Sequence, residues 1–150
     1  MREWNDRNSA RVRRAARLFQ PVVAAGLARI ESIVRRPRLR KLLLYKVAAH
    51  PDLLAPELCF EVASGGGKPG FFDALKAISE YDFWEHIPDV ACPTLIVWGR
   101  DDEIVPVADA FEYEALIPDA RTIIVEDTGH VPMLERPATF NRVLEEFLAA

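Results

Sequence analysis

Apolar residues recur at helical spacing through the first third of the chain. Val12, Ala15, Ala16, Phe19, Val22, Val23, Leu27, Ile30 and Val34 form one stripe, which predicts a helix with Ser9 as its N-cap. Pro21 lacks an N–H and is expected to kink or split that helix, and Pro37 to end it. RLRKLLLYKVAAH predicts a second helix stopping before Pro51, and APELCFEVAS a third starting near Pro56. The segment GGGKPG breaks the pattern, and FFDALKAISEY predicts a fourth helix. After Pro88 the period changes. TLIVW and RTIIVED are short runs rich in β-branched residues and predict strands. VADAFEYEALI between them predicts a helix with Ala108, Phe111, Ala115 and Leu116 on one side. PATFNRVLEEFLA predicts a last helix, opened by Pro137 at a tolerated first-turn position.

The predicted order is therefore helices over residues 1–87 and β-α-β-α over 88–150. The fold class expected is α/β, half of a parallel, doubly wound sheet. Both predicted strands carry an unbroken apolar run, the pattern of central strands that need neighbours on both sides. Two parallel strands make a poor sheet, so more strands are expected than the pattern supplies.

Composition narrows the class. Half of the 150 residues are apolar, enough for one domain with a real core. Cys59 and Cys92 have no CxxC spacing, so neither a disulfide framework nor a zinc site is expected. No three or four residues converge as metal ligands. The N-terminus MREWNDRNSARVRR lacks the apolar run of a signal peptide. The longest apolar region, LFQPVVAAGLARI, is too short to span a bilayer. A cytoplasmic protein is expected. Residues 1–50 carry 13 basic against 3 acidic residues, and residues 51–150 carry 6 against 20. The basic front reads as solvated helix faces, because its arginines interleave with the apolar stripe. An anionic membrane or a nucleic acid is the sharper alternative, and neither is expected as a partner. GGGKPG is not a phosphate loop. Pro69 follows Lys68 where Ser or Thr is required, and no strand leads into it; a hinge between two helices is the expectation.

Candidate chemistry gathers at the strand ends, since parallel strands share the edge where ligands bind. The first ends in WGRDDEIVP, the second in VEDTGHVPMLERP. That edge receives Asp101 and Asp102 from one loop and His130 from the next. A carboxylate holding an imidazole in one tautomer is the orienting half of a nucleophilic triad. Gly129 is expected to allow an unusual backbone turn that aims the ring inward. A helix N-cap is the competing role for Asp102. Asp101 reads as the residue that shapes the turn, and Asp127 as structural. His50 and His86 stand beside prolines and read as surface residues. Phe71, Phe72, Tyr81, Phe83 and Trp84 are core residues or the lining of an acyl pocket.

PTLIVWGRDDEIVP followed by DTGHVPMLERP resembles the C-terminal end of the α/β-hydrolase superfamily. There Gly-x-x-Asp-x-x-x-Pro carries a triad acid, and Gly-His-x-x-x-x-Glu-x-Pro a triad base. Asp102 matches the acid, between Gly99 and Pro106. His130 matches the base, and Glu135 and Pro137 the residues that open the last helix. The clear match covers residues 88–150, and the helices of 1–87 resemble a cap. The resemblance implies an esterase-like hydrolase of Ser-His-Asp type for a small, fairly apolar ester or related substrate, with no cofactor. Epoxide hydrolases, dehalogenases, C–C bond hydrolases and perhydrolases share the superfamily. The chain departs from the pattern in one respect. Ser9, Ser32, Ser64 and Ser79 all lie outside a G-x-S-x-G elbow. The resemblance thus implies a C-terminal half whose nucleophile lies upstream of Met1, with little catalysis by the isolated chain. The alternative is a non-catalytic interaction module. Its exposed sheet edge would pair with a separate N-terminal half or with a second copy.

Overall fold

A computed structural model of the chain describes residues 29–66, 68 and 70–150. The expectations for Ser9, Pro21, Gly67, Pro69 and the stripe from Val12 to Leu27 lie outside the described residues. The last turns of that stripe are helical over residues 29–34 (α1), with Ile30 and Val34 buried. Pro37 opens a second helix, α2 (Pro37–Leu44), at its first turn, where the missing N–H has no intrahelical partner to lose. This helix is shorter than its pattern predicts. It stops at Leu44, whose carbonyl accepts the N–H groups of Val47 and Ala48. Residues 45–50 leave the helix because their backbone bonds elsewhere: the Val47 carbonyl accepts the His130 N–H at 3.0 Å. A 3-10 turn (Pro51–Leu53) leads to α3 (Pro56–Gly65), and α4 (Phe71–Glu80) begins after Gly70, which has φ 81°. Another 3-10 turn spans Trp84–Asp89.

Helices this short are marginal alone and depend on packing. Ile30, Val34, Leu44 and Cys59 form a buried cluster, with Val47, Leu54, Phe60, Val62 and Ala63 against it. Each such side chain removed from water contributes about 1.5–3 kcal/mol before entropy is counted. α4 buries none of its residues. The aromatics that follow it form a seam rather than a core. Phe83 stacks on Trp84 at 5.1 Å, Trp84 on Tyr113 at 5.3 Å, and Trp98 tilts against Tyr113 at 6.1 Å.

The strands β1 (Thr94–Gly99) and β2 (Ala120–Val125) pair in parallel, from Thr94 opposite Ala120 to Gly99 opposite Val125. The helix between them is α5 (Ala108–Leu116). Its orientation differs from the pattern: Ala108, Phe111 and Ala115 are exposed, while Ala110 is buried and Tyr113 half-buried. The aromatic seam draws Tyr113 inward and turns Phe111 to the surface. A short helix, α6 (Pro132–Glu135), follows β2 with no signal in the pattern, and α7 (Pro137–Leu148) closes the chain. Among the described residues the sheet has two strands. Only Gly99 and Val125 are buried in it, although residues 95–98 and 123–125 are apolar runs. No described helix is long and apolar enough to cross a membrane. Cys59 is buried, Cys92 is exposed, and both are free.

Candidate active site

The two strands continue to pair beyond the sheet. Arg100 donates its N–H to the Val125 carbonyl and Asp101 to the Thr128 carbonyl, each at 2.9 Å. Arg100 also forks onto the Glu126 carboxylate. These bonds zip the loop after β1 to the loop after β2, and two candidate residues are carried together.

Asp102 and His130 meet at 2.8 Å, Oδ2 to Nδ1. The Asp102 side chain is only 3% exposed and that of His130 is 40%. The other Asp102 oxygen, Oδ1, accepts the N–H groups of Ile104 at 2.8 Å and Val105 at 2.9 Å. The carboxylate is thus desolvated yet fully engaged, as a buried charge must be. It is not the N-cap of α5, whose cap position is Val107. The turn after β1 is closed by the Asp102 side chain and not by that of Asp101, which correlates with the two amides lying two and three residues after Asp102. With Nδ1 occupied, the ring presents Nε2. Among the described residues no hydroxyl or thiol bonds to it.

Gly129 serves a different purpose from the one its position suggests. It has no positive φ; the left-handed residue is Asp127, at 52°. A β-carbon on Gly129 would stand 2.8 Å from the Ala49 nitrogen and 2.9 Å from the Ala48 Cα. The glycine lets segment 47–50 lie directly against the His130 loop. That segment was not visible as part of a site in the sequence. Neither was the work of Glu135, which accepts the Gly129 N–H on Oε1 at 2.7 Å and the His50 N–H on Oε2 at 3.0 Å. His50 is not a free surface residue: its Nε2 bonds Asp127. Asp127 also takes Arg136 on its carboxylate and carbonyl. The His50 bond, then Arg136, holds the Asp127 carboxyl below its usual range. His86 remains exposed, 3.6 Å from Asp89.

No group of three or more His, Cys, Asp or Glu among the described residues is placed to hold a metal ion. A cavity of about 580 Å³ opens between α1 and α3, lined by Val34, Ala55, Pro56, Leu58, Phe60 and charged neighbours. Its lining includes neither Asp102 nor His130.

A family model described as "Alpha/beta hydrolase family" matches residues 3–143. The chain belongs to the alpha/beta hydrolase family. A curated relative, "Putative carbamate hydrolase RutD" of Escherichia coli O1:K1 / APEC, is 32% identical over 104 residues, covering 69% of this chain and 39% of that protein. The chain therefore spans about two fifths of the length of this relative. A solved bromoperoxidase from Bacillus anthracis superposes with a TM-score of 0.67 at 22% identity, over 90% of this chain and 48% of that one. A bacterial membrane phospholipase A superposes at 0.58 with 28% identity, over 79% and 40%. The helices and small parallel sheet are part of an α/β-hydrolase fold.

Proposed function

We propose that this family member supplies the acid and base of a Ser-His-Asp hydrolase of esterase type, acting on a small, apolar ester or related substrate. The observation that carries this is the 2.8 Å contact between Asp102 Oδ2 and His130 Nδ1, with the carboxylate buried. His130 donates its Nδ1 proton to Asp102, so Nε2 keeps a lone pair. As a nucleophilic hydroxyl attacks an acyl carbon, Nε2 takes its proton, and Asp102 stabilises the imidazolium. His130 then returns the proton to the leaving group and activates water against the acyl-enzyme in the same way. No cofactor enters these steps. The relative named for carbamate hydrolysis and the phospholipase neighbour both support acyl chemistry.

In this reading residues 1–87 form the cap, and the nucleophile comes from outside these 150 residues. The hydroxyls of Ser64 and Ser79 support that. Ser64 donates to the Glu61 carbonyl and Ser79 to the Lys76 carbonyl, both within their own helices. In this reading the protein works in the cytoplasm. Removing a triad nucleophile costs on the order of 10⁶-fold in rate, so the pure chain is expected to turn over p-nitrophenyl esters no faster than buffer. Turnover that His130→Ala abolishes would put a nucleophile inside the chain and contradict the reading.

The open edges of the two-stranded sheet favour a second reading. The chain would be an interaction module that completes its sheet with a separate N-terminal half or a second copy. A well-behaved monomer in size-exclusion chromatography argues against it.

A further inference from the structure

Two stretches of backbone lie side by side under His130: residues 47–50 and residues 129–130. The Val47 carbonyl takes the His130 N–H at 3.0 Å. The Gly129 Cα rests on Ala48 and Ala49 with no room for a β-carbon. The far end is closed by one carboxylate, Glu135, which accepts the Gly129 N–H and the His50 N–H on its two oxygens. We propose that Glu135 is a positioning residue for His130, a cross-tie between the Gly129 and His50 amides that fixes the backbone from which the ring is aimed at Asp102. The proposal rests on the reading of His130 as the general base.

The chemistry requires a carboxylate. Two N–H donors converge on the side chain, and a carboxylate offers an acceptor to each. Glutamine offers one oxygen and turns an NH₂ toward the second donor. The side chain comes from α6, a single turn held by Leu134 and Glu135 N–H groups on the Val131 carbonyl, so it is anchored within five residues of the histidine it steadies. Segment 47–50 has a second tether on its outer side, where the His50 ring bonds Asp127. That tether does not reach Gly129. The two can therefore be separated.

The test uses the 150-residue chain with Glu135→Gln, Glu135→Ala and, for comparison, Asp127→Asn. Circular dichroism reports the fold, amide exchange reports Gly129 and His50, and long-range ¹H–¹⁵N spectra report the His130 tautomer. In Glu135→Gln the fold is expected to persist. Exchange at Gly129 or His50 should quicken about tenfold or more, and the single Nδ1–H form of His130 should give way to a mixture. Asp127→Asn is expected to leave the His130 tautomer as it was. A folded Glu135→Gln with unchanged His130 signals would overturn the proposal. So would equal disturbance by Asp127→Asn, or loss of the fold in both Glu135 variants, which would make the residue a folding determinant. If the unaltered chain shows no fixed His130 tautomer, the general-base reading fails and the proposal with it. That result is distinct from any confined to Glu135.

Discussion

Gly99 lies so close beneath Gly129 that a β-carbon on it would strike the carbonyl oxygens of Gly129 and Thr128. This contact sets the separation of the two loops that carry Asp102 and His130. Neither partner can yield, because both are backbone. Gly99→Ala is expected to cost about 3 kcal/mol, the upper range for overpacking a tight site. It should also separate Asp102 from His130. Urea unfolding measures the first effect, and loss of the His130 Nδ1–H resonance the second.

Arg40 predicts a purely structural effect away from the site. The residue is 5% exposed. It donates to the carbonyls of Val34 at 2.8 Å, Pro51 at 2.9 Å and Asp52 at 2.6 Å. The group ties the end of α1 to the turn that follows residues 45–50. Arg40→Met fills the volume but strands three carbonyls. The expected loss is about 3 kcal/mol or more, a fall in melting temperature on the order of 10 °C. Arg40→Lys, which keeps the charge without the fork, should fall between.

Two carboxylates predict opposite pH behaviour. The His50 bond holds the Asp127 carboxyl low, so its contribution is present above the ordinary aspartate value and is lost as pH falls through the lowered one. Asp127→Asn should melt earlier than the parent at neutral pH, and the two curves should converge well below about pH 4. Burial, and then the like charges of Glu112 and Asp102, push the Asp109 carboxyl up. Its contribution is full below the ordinary value and is lost as pH rises through the raised one. Asp109→Asn should therefore melt later than the parent at pH 7 and no later below about pH 4. Melting curves across pH separate the two; the same sign for both variants would contradict this account.

The contact between Asp102 and His130 was legible in the sequence because each sits in a local motif at the end of a strand, and two parallel strands bring such ends together. The strands themselves, and helices opened by proline, were legible for the same local reason. What escaped were relationships between distant residues. His50 bonds Asp127, 77 positions away, and no periodicity records that. The second helix looked longer than it is, since apolar spacing in KVAAH continues past the point where the His130 loop captures the Val47 carbonyl. The orientation of α5 departs from its apolar spacing because Tyr113, polar at one end, is drawn into an aromatic seam with Phe83, Trp84 and Trp98. The Gly-His sequence points to a turn at Gly129, while the structure uses its missing side chain and leaves the left-handed φ to Asp127.

The central claim is that Asp102 fixes His130 with its proton on Nδ1 and a bare Nε2. Long-range ¹H–¹⁵N spectra of the histidine rings, recorded on the chain and on Asp102→Asn above the imidazole range of about pH 7, measure this directly. The account predicts a single tautomer protonated at Nδ1 in the parent, and its loss in Asp102→Asn, where the amide no longer compels that form. A His130 protonated at Nε2, or averaging between tautomers in the parent as it does in Asp102→Asn, would contradict it.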